Sequence, residues 1–213
     1  MHPRSTTPPT AVLFDFGGVI TTSPFEAFAR YEASHGLPDG FIRSINATDP
    51  DTNAWARLER NEVDVDAFAP LFEAEAAALG QLVDAHEVLA CLSGEIRPSM
   101  VIALERLSGH VALGLLTNNF VSVEGEGPPS MTRVLELFDV VIESSTAGCR
   151  KPDPRFYELA LEGLGIDAEE AVFLDDLGVN LKPARAMGMA TIKVADPEQA
   201  LDELEALVDI SLR

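Results

Sequence analysis

Six residues in this 213-residue chain have types and positions that could do chemistry: Asp15, Thr117, Asn118, Lys151, Asp175 and Asp176. Asp15 ends an apolar run in LFDFGGVITT (13–22), and Thr117 and Asn118 end another in VALGLLTNN (111–119). Lys151 lies in GCRKPDP (148–154), and the paired aspartates follow AVFL (171–174). Singly, each has a plain structural reading, since Asp, Thr and Asn at such places often cap helices or close turns. Together they are more specific. Two or three converging carboxylates with no His or Cys form a hard oxygen site suited to Mg²⁺. A hydroxyl, an amide and a lysine beside it would bind phosphate oxygens. An aspartate so placed can take a phosphoryl group as a nucleophile. The set points to phosphoryl transfer.

Such residues converge only if the chain places them on one edge. AVLF (11–14), VALGLL (111–116), DVVIE (139–143), AVFL (171–174) and ATIKV (190–194) read as near-continuous apolar strands separated by helices. That pattern predicts a doubly wound parallel sheet covered on both faces, an α/β Rossmann-like core. In open parallel sheets ligands bind beyond the strands' C-terminal ends, where every candidate residue falls. Phe156, Leu159 and Ala160 begin one helical face, and Leu181, Ala184 and Met187 mark a second, before Gly188. Leu201, Leu204, Leu207 and Val208 mark the last amphipathic helix.

One interval breaks the rhythm. Almost 100 residues separate Asp15 from the strand at 111, where a βαβ unit needs about 30. Phe25, Phe28, Ala29, Trp55, Leu58, Phe68, Leu71, Phe72 and Leu79 recur there at helical spacing, punctuated by Gly36, Pro38, Gly80 and Gly94. A helical insert over 24–94 is the economical reading, leaving 11–23 and 95–213 as the α/β core. VEGEGPPS (123–130) predicts an exposed loop.

Composition narrows the partners. A formal net charge of −20 and a pI near 4.4 argue against nucleic acid or anionic membrane. Cys91 and Cys149 fit no metal-ligand spacing and imply reduced thiols in a cytoplasmic protein. MHPRSTTPPT has no apolar run of a secretory signal, and the apolar runs are far shorter than a membrane span.

FDFGGV, LLTNN, the lysine of RKPDP and FLDDLGVN, in that order, resemble the four motifs of haloacid dehalogenase-like hydrolases. The stretch KPDPRFYELALEGLGIDAEEAVFLDDLGVNLKPARAMGM is similar to the N-terminal phosphatase-type domains of soluble epoxide hydrolases. The likeness extends from Ala11 over the rest of the chain, with the helical insert matching a cap that follows motif one. It implies Asp15 as nucleophile and Mg²⁺ ligand, and Lys151 as the group that stabilises charge on nucleophile and phosphate. Thr117 would hydrogen-bond the phosphoryl group with Asn118 beside it. Asp176 and the Gly17 carbonyl would complete the metal site, supported by Asp175 and Asn180. The implied substrate is a small phosphorylated metabolite. Epoxide opening in those relatives belongs to a separate domain with a G-x-S-x-G elbow, which this chain lacks.

The chain departs from the family at one position. A second aspartate, the general acid and base, ordinarily stands two residues after the nucleophile, where this sequence has Gly17. Three readings stay open: a phosphatase weakened at that step, a dehalogenase-type hydrolase that needs no such acid, and a phospho-ligand binding module with little turnover. The paired Asp175–Asp176 favours a metal and so a phosphatase. For Phe25, Trp55 and Arg57 in the insert, packing or solvated charge is the leading expectation over substrate contact.

Overall fold

The computed structural model describes residues 8–119 and 129–213. Its centre is a five-stranded parallel sheet of β1 (Ala11–Phe14), β2 (Ala112–Thr117), β3 (Val140–Glu143), β4 (Ala171–Asp175) and β5 (Ala190–Lys193), in the order β3-β2-β1-β4-β5. The winding reverses about β1, so the crevice past the ends of β1 and β4 is the place where such sheets bind ligands. All five expected strands form: β1 keeps its expected bounds and the other four differ by one residue at one or both ends. Thr117 and Asp175 are the final residues of their strands rather than the first residues of loops.

Alternation along each strand splits the core into two layers. Val12, Phe14, Leu113, Val172, Leu174 and Ile192 pack against α6 (Pro98–Leu107), α7 (Pro129–Leu135) and α11 (Pro197–Val208). Leu13, Leu116 and Phe173 pack on the other face against α9 (Pro154–Leu164) and α10 (Gly178–Met187). The expected helical stripes supply those contacts: Phe156 and Ala160, then Leu181 and Ala184, then Leu201, Leu204 and Val208 are all buried. Asp153 and Asp196 cap α9 and α11 through their carboxylates, with Pro154 and Pro197 opening the helices. Of the expected loop at 123–130, residues 123–128 lie outside the described residues, and Pro129 opens α7.

Between β1 and α6, after a short helical turn at Phe16–Ile20, come five α-helices: α1 (Pro24–His35), α2 (Phe41–Ala47), α3 (Ala54–Glu59), α4 (Val65–Ala78) and α5 (Ala85–Ala90). Their buried side chains form a cluster separate from both sheet layers, centred on Phe28, Ile42, Trp55, Phe68 and Phe72. Trp55 meets Phe28, Phe68 and Phe72 ring to ring at centroid distances of 6.2, 5.8 and 5.7 Å, so its role is packing. Arg57 is half-buried beside Glu62, and Leu79 lies exposed past the end of α4. Carboxylates from neighbouring helices close several N-termini. Glu32 accepts from Gly40 N and Ile42 N at 2.8 and 2.9 Å, Glu75 from Ala54 N at 2.8 Å, and Glu73 from Ala85 N at 3.2 Å. The chain leaves and re-enters the sheet side by side: Thr22 N donates to Glu95 O at 2.8 Å, and Arg97 N to Ile20 O at 2.9 Å. No helix among the described residues is long and apolar enough to cross a membrane.

Where β1 and β2 pair, close packing requires one particular glycine. A Cβ at Gly114 would lie 2.5 Å from Cδ2 of the fully buried Leu13, so that side chain would have to shift within a packed layer. Gly114→Ala should therefore destabilise the protein by about 1–3 kcal/mol through overpacking, read as a lower urea midpoint at unchanged slope.

Candidate active site

The backbone places the acids before side chains refine them. Asp15 N continues the ladder past β1 by donating to Leu174 O at 2.9 Å, so Asp15 stands beside Asp175 at the end of β4. Asp15, Asp175 and Asp176 offer carboxylate oxygens that all lie within 4.8 Å of one another. Lys151 reaches in from the loop before α9 and is 1 % exposed, with its ammonium 2.7 Å from Asp15 Oδ1 and 2.9 Å from Asp175 Oδ2. A lysine this buried is tolerated only with such partners.

The three carboxylates differ in what remains open to a ligand. Asp175 is saturated. Its Oδ1 accepts from Leu177 N at 2.7 Å and Asn180 Nδ2 at 3.1 Å, and its Oδ2 accepts from Lys151 and again from Asn180 at 3.0 Å. Asn180 is in turn held through its carbonyl by the buried Tyr157 hydroxyl at 2.7 Å. Asp15 uses only Oδ1, which also accepts from Phe16 N at 2.6 Å; its Oδ2 takes no hydrogen bond among the described residues. Asp176 is half-buried, and among the side chains of the described residues it receives one long contact, from Ser23 Oγ at 3.4 Å. Open acceptor capacity therefore lies on Asp15 and Asp176.

One ammonium cannot neutralise three carboxylates. Burial, and then the neighbouring charge of Asp175, raise Asp15 well above the usual carboxylate range, although Lys151 pulls the other way. Burial and Asp175 likewise push Asp176 up to about 6. For Lys151 burial acts downward, but Asp15 and Asp175 outweigh it and leave the ammonium above its ordinary value. The surplus negative charge and the all-oxygen donor set fit a hard divalent cation such as Mg²⁺.

The paired glycines after Asp15 have different jobs. Gly18 sits at φ +82°, and a Cβ there would come within 2.3 Å of Asp176 Oδ2. Gly17 has φ −70° and ψ 125°, which any residue can adopt, and a Cβ there would meet nothing within 4 Å. Turn geometry accounts for Gly18 and leaves Gly17 unexplained.

Residues 9–188 match the family model for haloacid dehalogenase-like hydrolases. The chain belongs to this family. It is 36 % identical over 208 residues to acyl-CoA dehydrogenase family member 10 of Mus musculus, and 31 % over 217 residues to bifunctional epoxide hydrolase 2 of Sus scrofa. Each match takes in 95 % of this chain but only 19 % and 39 % of those longer proteins. The sesquiterpene phosphatase astK of Aspergillus oryzae is 28 % identical over 202 residues, with 93 % of this chain and 96 % of that protein covered. Among solved structures, a family enzyme from Bacteroides thetaiotaomicron in complex with magnesium and inorganic phosphate superposes with a TM-score of 0.57. It is 18 % identical, with 87 % of this chain and 93 % of that one covered, a likeness of fold.

The other expected site residues of this haloacid dehalogenase-like hydrolase stand at the same sheet edge. Thr117 is buried at the end of β2. The side chain of Asn118 turns to the lysine loop: Lys151 N donates to its Oδ1 at 2.9 Å, and its Nδ2 donates to Lys151 O at 3.1 Å. Two neighbours escaped the sequence reading. Ser23, the N-cap of α1, could have been recognised from Ser-Pro at a helix start. Glu59, which accepts from Asn118 Nδ2 at 3.3 Å, gave only the weak signal of an acid directly after the apolar Leu58.

Removing the ammonium should expose this balance. In divalent-free buffer at neutral pH, Lys151→Met should lower stability by about 3–5 kcal/mol, because it leaves buried carboxylates uncompensated. The folded-state pKa of Asp15, already raised by burial, would then rise further above its unfolded value, so folding takes up protons and the deficit shrinks as pH falls toward 4. Denaturant unfolding at pH 8 and pH 5 measures it, and an equal deficit at both contradicts the charge argument.

Proposed function

We propose that this hydrolase is a Mg²⁺-dependent phosphatase acting on a small phosphorylated metabolite, with Asp15 as nucleophile. The observation that carries the reading is the asymmetry of Asp15. One oxygen is anchored by Lys151 and Phe16 N while the other is open, beside the unsaturated Asp176. Asp15, Asp176 and the Gly17 carbonyl would hold the ion, which when bound offsets charge on the carboxylates and the phosphoryl oxygens. Asp15 Oδ2 attacks phosphorus, the bond to the leaving oxygen breaks, and the resulting acyl phosphate is hydrolysed by water. Lys151 favours the ionised form of the nucleophile and orients it, and Thr117 donates to the phosphoryl group with Asn118 beside it. Asp175 and Asn180 hold Lys151 in place. The five helices of 24–94 act as a cap over the core formed by 11–23 and 95–213. The phosphatase-named relative astK and the Bacteroides complex with magnesium and phosphate support this reading. The excess of carboxylates supports it over dehalogenation, which needs no metal.

Asp15→Asn should abolish release of phosphate from p-nitrophenyl phosphate, and beryllofluoride with Mg²⁺ should stabilise the wild type thermally but not this variant. Activity in Asp15→Asn at wild-type level would remove Asp15 as nucleophile.

Gly17 makes a second prediction. A positioned acid typically contributes about 10²–10⁴-fold, and the leaving oxygen of an alkyl phosphate needs its proton most. Rates should therefore depend steeply on leaving-group pKa in the wild type, with aryl and acyl phosphates preferred. The backbone at position 17 accepts a side chain, so Gly17→Asp should flatten that dependence by accelerating alkyl esters. A flat wild-type dependence with chemistry rate-limiting would mean that water already supplies the proton.

A further inference from the structure

Glu59 is a buried carboxylate that the catalytic assignment leaves unused. It ends α3, in the helical segment, yet its side chain reaches the core. Oε1 accepts from the indole of Trp55 at 3.0 Å, which fixes the side chain to the aromatic cluster of its own segment. Oε2 accepts from Arg150 Nη1 and from Asn118 Nδ2. The other Arg150 terminal nitrogen donates to Pro50 O at 2.7 Å, a second tie to the same segment. Arg150 directly precedes Lys151, and Asn118 brackets Lys151 through both backbone groups.

We propose that Glu59 is a positioning residue that assembles the Asn118 and Arg150–Lys151 loops only when the helical segment is seated on the sheet. The inference rests on the phosphatase reading for its kinetic arm. Asn118 can donate to Lys151 O and Glu59 together because an amide nitrogen carries two protons. Arg150 supplies the countercharge that makes burial of Glu59 affordable, and Glu59 does the same for Arg150. Lys151 therefore approaches Asp15 from a backbone anchored by a residue 92 positions earlier in the chain. Withdrawing the segment would strip Asn118 and Arg150 of a shared acceptor at the same moment, loosening the loop that carries the ammonium. The ties run through separate hydrogen bonds accepted by one carboxylate, so the response to losing either partner is shared rather than additive.

The test uses the full chain with Mg²⁺ and p-nitrophenyl phosphate, comparing wild type, Glu59→Ala, Glu59→Gln, Arg150→Ala and the double alanine variant. Glu59→Ala and Arg150→Ala should each lower kcat/KM by about ten- to a hundredfold, the cost of a slightly misplaced catalytic group. The double variant should be no worse than the poorer single one. Glu59→Gln, which keeps an acceptor but loses the charge, should fall between wild type and Glu59→Ala. Hydrogen exchange of the folded proteins should show faster exchange at the amides of 117–119 and of Arg150, Lys151 and Asp153, a change that lost helix packing alone would confine to 24–94. If Glu59→Ala does not fold, Glu59→Gln decides both arms. Kinetics and core exchange within twofold of wild type, or multiplicative losses in the double variant, overturn the proposal. If the wild type hydrolyses no phosphate ester, the proposed function fails while the exchange arm still decides the role of Glu59.

Discussion

The site depends on one ammonium group held almost out of reach of water. Lys151 is 1 % exposed and lies between Asp15 and Asp175, and burying it without them would cost several kcal/mol. This constraint explains why Asp175 is surrounded by donors: Leu177 N and both contacts from Asn180 satisfy what the lysine does not. It also explains the reach of the network. Tyr157 holds Asn180, Asn118 holds the backbone of Lys151, and each comes from a different element of the sheet edge. The surplus of carboxylate that remains falls on Asp15 and Asp176, the two that retain open acceptor capacity.

Much of this was legible along the chain because local signals agreed with the fold. Unbroken apolar strands, Gly at helix ends and acids immediately past the strands each follow from short-range chemistry. The ends of β2 and β4 moved outward by one residue because the parallel ladder carries Thr117 and Asp175 into pairing with Glu143 and Lys193. The two glycines after Asp15 could not be told apart from type alone. The positive φ of Gly18 and the approach of Asp176 to it separate the conformationally required glycine from the permissive one. Glu59 was illegible for a related reason: its partners lie 59 and 91 residues away, and no periodicity within α3 encodes them.

The acidity of the chain is not all solvated surface. Glu32, Glu73 and Glu75 sit at the N-termini of helices that precede or follow them in space, where the helix dipole and unpaired amides favour a carboxylate. Short helices such as α2, α3 and α5 gain little from propagation alone, so acceptors supplied by their neighbours set where they begin. Some of the negative charge is thus structural, spent on stopping and starting helices in a segment with little regular repetition.

The crossing between sheet and helical segment has a consequence for how the chain can change over time. Because Thr22 and Glu95 lie side by side and are stitched by backbone hydrogen bonds, the sheet sees the intervening 24–94 as a closed excursion that returns to its starting point. Lengthening, shortening or exchanging that excursion leaves the strand order and the register of β1 against β2 and β4 untouched, as insertion between adjacent ends generally does. The sheet edge that gathers the acids and the helical segment of 24–94 can diverge at independent rates, constrained chiefly where a side chain such as Glu59 crosses the seam.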